Sequence, residues 1–169
     1  MYTLENNIDT LQDIVEHISN ISKVEAAITD EFCITLANKG SLSLIEGSFC
    51  FVEEKIFPHC IQFLNFMITD AITNSYTNQL CWAGIRLTIN KFLINNKIFY
   101  FVINKYKLDS DYKEINKDKV LKINCNEEEI QKIKLIFDAV PVLSIGRVEE
   151  LFSIMKKCIT EFDERGILT

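Results

Sequence analysis

The chain has few of the residues that build special backbone or do chemistry. Among 169 residues there are five glycines and two prolines. The glycines are isolated, so neither GxGxxG nor GxxxxGK[ST] occurs, and a phosphate cradle of backbone N–H groups is excluded. Histidine is equally scarce, with His17 and His59 alone. Neither HExxH nor GxSxG is present. His59 adjoins Cys60, but a Cys–His nucleophile needs a third residue to orient the imidazole, and the sequence offers none. The expectation is that this chain is not an enzyme.

Long apolar runs are missing too. The stretch IFYFVI at 98–103 is far short of the roughly 20 residues that a membrane span requires. No stretch is strongly basic: the net charge is −6, and Asp and Glu interrupt the scattered Lys and Arg. Nucleic-acid surfaces need clustered positive charge to displace counterions, so direct nucleic-acid contact is not expected. The start, MYTLENNIDT, is acidic and has no basic-then-apolar export pattern, which gives a cytoplasmic expectation. Cys33, Cys50, Cys60, Cys81, Cys125 and Cys158 form no CxxC pair, so reduced thiols are expected and a zinc ribbon has no local support.

What is present is material for a core. Apolar residues make up 48% and aromatics 11%, enough for a single domain over 1–169, with its core at about 8–162. Residues 9–22 place Leu11, Ile14, Val15, Ile18 and Ile21 at helical spacing. Strands are expected at 24–29 and 32–36, turned by Asp30-Glu31, with Asn38-Lys39-Gly40 breaking the pattern. The apolar segment 49–73 reads as two helices, the second starting near Pro58, because proline fits a first turn. Residues 74–78 read as a loop. Two strands follow within 79–106, joined by Asn95-Asn96, since asparagine tolerates positive φ. Ile98, Tyr100 and Val102 lie on one face of the second strand and Phe99, Phe101 and Ile103 on the other, so both faces need a cover.

Asn126 with Glu129 is a capping box that starts a helix to about Ala139. Val140 to Leu143 reads as extended. Ser144 caps a last helix striped by Val148, Leu151, Phe152, Met155, Ile159 and Phe162, and Gly166 ends it. Asp109-Ser110-Asp111 reads as a solvated turn. The order gives an α+β fold: a PAS-like antiparallel sheet flanked by helices, as a single domain.

Cys50, Cys60 and Cys81 are the cysteines to weigh. With His59 they make a donor set suited to a tetrahedral metal, whereas as small apolar residues they simply fill a core. Trp82 either walls a pocket or packs. Arg86 either forms a salt bridge or anchors a polar ligand group.

These residues carry a resemblance. Phe49-Cys50, then Cys60, then Cys81-Trp82-Ala83-Gly84-Ile85 leading into a hairpin, then Val140-Pro141-Val142-Leu143-Ser144 with Arg147, Val148 and Leu151, follow the order and spacing of a PocR-type sensory domain. The chain resembles that family over roughly 8–162. It departs at Trp82, where the family has histidine, at Lys91 in place of proline, and at Tyr100 and Asn104 in place of glycine. The resemblance implies a ligand-binding sensor for a small alcohol, diol or related hydrocarbon derivative. It implies no cofactor, a site at Phe49, Cys50, Cys60, Cys81, Trp82, Arg86 and Tyr100, and an output domain or partner protein elsewhere. The terminal helices suit a homodimer. The bulky Trp82 and Tyr100 keep a second expectation open, an interaction or dimerisation domain that has lost its ligand. A cysteine-based metal or redox sensor is the third.

Overall fold

The computed structural model describes residues 4–32, 35–39, 56–94, 96–115, 118 and 124–164. In chain order the elements are α1 (Leu4–Ser22), β1 (Glu25–Thr29), β2 (Thr35–Lys39), α2 (Phe57–Asn74), β3 (Tyr76–Leu80), β4 (Arg86–Ile94) and β5 (Lys97–Leu108). Then come α3 (Glu127–Ala139), the two-residue β6 (Val142–Leu143) and α4 (Ile145–Glu164). The strands run β2-β1-β5-β4-β3, all antiparallel, and β6 adds to the end of β5 in parallel. This is the expected α+β, PAS-like arrangement.

The central strand has two inner faces because its side chains alternate and both sets are apolar. Phe99, Phe101 and Ile103 of β5 join Ala26 and Ile28 of β1 under α1 and α4. Those helices contribute Leu11, Ile14, Val15 and Ile18, and Val148, Leu151, Phe152, Met155 and Ile159. Tyr100 and Val102 face the other way, with Ala27, Leu87 and Ile89, under Leu64, Met67 and Ala71 of α2. The second cover is therefore a helix layer. At Lys105, with φ at +56°, the register shifts so that Arg86 faces Tyr106 while Leu87 faces Asn104. That bulge re-aims the strand end and returns Tyr106 and Leu108 to the face under α1 and α4.

Several local expectations hold. Pro58 stands in the first turn of α2. Asn96, at φ +61°, turns the chain between paired Ile94 and Lys97. Asn126 and Glu129 form both bonds of the capping box, and the helix ends at Ala139. The Arg147 N–H donates to Ser144 Oγ at 3.1 Å.

Others need correction. The second strand is Thr35–Lys39, later than 32–36, and Asn38 and Lys39 pair within it with Ala27 and Ala26 rather than breaking it. The helix expected at 9–22 begins at Leu4. Residues 76–78 belong to β3, not to a loop. Ser75 takes a left-handed conformation at φ +66° and its N–H closes on the Ala71 carbonyl, which swings the chain from α2 straight into the edge strand. Only Thr77 of β3 is buried, so no apolar alternation marks it. The first helix expected within 49–73, the side chain of Phe162 and the expected helix end at Gly166 lie outside what is described.

Candidate functional site

A third apolar cluster sits apart from the two sheet faces. It joins the start of α2, the β3–β4 connection and α3. Ile56, Ala83, Cys125 and Ile133 are buried within it, and Cys60, Cys81, Trp82, Ile115, Ile130 and Ile136 pack against them. The connection is fixed locally. Cys81 N–H donates to the Ile85 carbonyl and Gly84 N–H to the Cys81 carbonyl, both at 2.9 Å. Gly84 holds φ +82°, which a side chain disfavours. Beyond it Phe137 of α3 closes in, its ring carbon 3.2 Å from where a Cβ would stand. Lys107 covers that ring, with Nζ 4.0 Å from the centroid.

The electrostatics follow from this enclosure. Cys81 keeps some exposed surface as a residue, yet its thiol is densely surrounded, and burial pushes its pKa up to about 11. The backbone N–H groups of Ile85, Ala83 and Gly84 pull it back in part, and the neighbouring Cys60 adds to the rise. A thiol in this state is a weak nucleophile and behaves as a small apolar group. Ile115 and Ile130 also border a cleft of about 480 Å³ between residues 114–115 and α3, lined besides by Glu114, Glu127, Gln131, Lys134 and Asp138.

Of the residues expected at the site, the structure brings Cys60, Cys81 and Trp82 together. Tyr100 lies elsewhere, 3% exposed under α2. Arg86 is engaged in a polar network. Its Nε and Nη2 donate to the two carboxylate oxygens of Asp111, each at 2.7 Å, and its Nη1 donates to Asn78 Oδ1 at 3.0 Å. Asn78 Nδ2 donates to the Tyr106 hydroxyl at 3.0 Å, and that hydroxyl also bonds Thr88 Oγ1. Asp109 and Ser110 form the exposed turn expected there, but Asp111 is an ion-pair partner with 6% side-chain exposure, which corrects that reading at Asp111. Burial would raise its pKa, but the Arg86 guanidinium and the Leu108 N–H outweigh that and hold it below the ordinary carboxylate value. Phe49 and Cys50 lie outside the described residues.

Cys125 was not among the expected site residues. Its signal was its place just before the Asn126 cap, where an apolar residue staples against the fourth helical position, here Ile130; both join this cluster. Among the described residues, no group of three or more His, Cys, Asp or Glu side chains is placed to hold a metal ion. Likewise no helix among them is long and apolar enough to cross a membrane. No family model matches the chain, and no curated protein matches it.

Proposed function

We propose that this chain is a small-molecule sensory domain of a bacterial signalling or transcription-regulatory system, of the PocR type. Its ligand is a small alcohol, diol or related hydrocarbon derivative. One observation carries the reading: Cys60, Cys81 and Trp82 meet in an apolar cluster of their own, between α2, the β3–β4 connection and α3. Apolar walls with a few polar groups suit a small amphiphile, and the protonated Cys81 thiol offers a weak donor rather than a charge. Ligand between these elements favours one packing of α3 over others and so shifts the population of the domain. The change passes through β6 to α4, and α4 with α1 carries it to a second copy or an output domain.

Calorimetric titration with a panel of short alcohols and diols tests this. Heat of binding that disappears in Trp82→Ala supports it; no heat with any member overturns it. A second reading has its own support. Tyr100 fills the sheet face under α2, where a glycine would leave room, and this favours an interaction domain that keeps the fold without a ligand. Self-association or partner binding by a chain silent in the titration would select that reading.

A further inference from the structure

An ion pair ties the wall of the cluster to the end of β5, which anchors the root of α4. Arg86 is the first residue of β4, directly after the connection that carries Cys81 and Trp82. Asp111 sits just past the end of β5. It is tied there twice: its Oδ2 accepts the Leu108 N–H at 2.7 Å, and its own N–H donates to the Leu108 carbonyl at 2.9 Å. Four residues beyond Asp111, Ile115 packs into the cluster. In the other direction, the same end of β5 anchors the chain that launches α4. Lys107 N–H donates to the Pro141 carbonyl at 2.9 Å and Asp109 N–H to the Leu143 carbonyl at 3.0 Å.

The turn buries little side chain. Asp109, Ser110 and Tyr112 are exposed, and segments with few buried apolar contacts open at lower free energy than the core. The forked Arg86–Asp111 contact is therefore the strong link, since a bidentate charge-assisted pair fixes geometry as well as adding energy. From this geometry we infer that the Arg86–Asp111 pair is a coupling latch, which holds the wall of the thiol cluster and the β5–β6 root of α4 in one shared arrangement. Released, it frees both; closed, it makes a change at one felt at the other. Arg86 and Asp111 are positioning residues on this account and need touch no ligand. The inference rests on the cluster being the sensory site, but its test uses no ligand, so the two fail separately.

The test is pulsed alkylation of the full chain with N-ethylmaleimide, read at Cys60 and Cys81, alongside amide hydrogen exchange. Asp111→Asn is expected to speed alkylation of both thiols and exchange at Lys107 and Asp109 together, each by about 100-fold. Faster thiols without faster amides, or faster amides without faster thiols, overturns the latch. A second measurement needs no variant. In the wild-type chain with mild denaturant, thiol labelling and exchange at Lys107 and Asp109 are expected to report one opening of equal free energy and equal denaturant dependence. Distinct openings overturn the inference even where Asp111→Asn fails to fold.

Discussion

Phe137 of α3 packs on Gly84: a Cβ there would stand 3.2 Å from the Phe137 ring, at a residue already at φ +82°. The contact locks α3 to the connection bearing Cys81 and Trp82. Gly84→Ala therefore adds left-handed strain to a steric push on a buried ring, and is expected to cost about 2 kcal/mol. Urea denaturation measures it. A change below a few tenths would show that neither the left-handed strain at Gly84 nor the ring contact holds.

The Arg86–Asp111 pair gives a stability prediction with a definite sign. Its side chains are 17% and 6% exposed, so removing one partner strands a largely buried charge. Asp111→Asn is expected to destabilise the domain by about 3 kcal/mol at neutral pH. Because the folded pKa of Asp111 lies below the ordinary value, its contribution is present above that ordinary value and is lost as pH falls through the folded one. The variant's acid-unfolding curve should lack that component, and a parallel pair of curves would contradict the assignment.

Cys81 titrates in the opposite sense. Its folded pKa of about 11 lies above the usual 9.0, so the folded chain holds this proton more tightly than the unfolded one. The resulting stability is intact below about 9 and falls as pH rises through about 11. Iodoacetamide labelling of Cys81 in the native chain should accordingly stay slow at pH 8 and climb toward pH 11, while the denatured chain reacts readily at pH 8. Rapid native labelling at pH 8 would mean that the thiol is not enclosed.

The capping box is a simpler test. Asn126→Ala removes the oxygen that accepts the Glu129 N–H at 2.8 Å and should cost about 1 kcal/mol. Because Cys125 and Ile130 staple the same turn, Cys125 labelling should also quicken. Unchanged stability would place the start of α3 elsewhere.

The parts of this fold that were legible in the sequence are those with strong periodicity or caps. The two-faced β5, the α4 stripe and the Asn126–Glu129 box could all be read, because each puts several residues under one rule. What escaped has weak local signals. β3 is a polar edge strand with Thr77 alone buried, and Ser75, not glycine, takes the left-handed turn that leads from α2 straight into it. At the site, Cys60 and Cys81 were legible together with Cys50 as the cysteines to weigh, and Trp82 was placed with them through the resemblance, whereas Cys125 hid as a staple. Asp111 looked like a solvated turn because the residue that buries it, Arg86, is distant in sequence, and the bulge at Lys105 that faces Arg86 to Tyr106 leaves no mark in composition.

The most direct test of the sensory reading is thermal unfolding in the presence of saturating short alcohols and diols, run on the wild-type chain and on Trp82→Ala. A ligand that binds only the folded state at about 100 times its Kd adds about 2.7 kcal/mol, which should raise Tm by roughly 5–10 °C for a domain of this size. The account predicts such a rise with at least one compound and its loss in Trp82→Ala. An unmoved Tm across the whole panel, or a rise that survives loss of the indole undiminished, would contradict it.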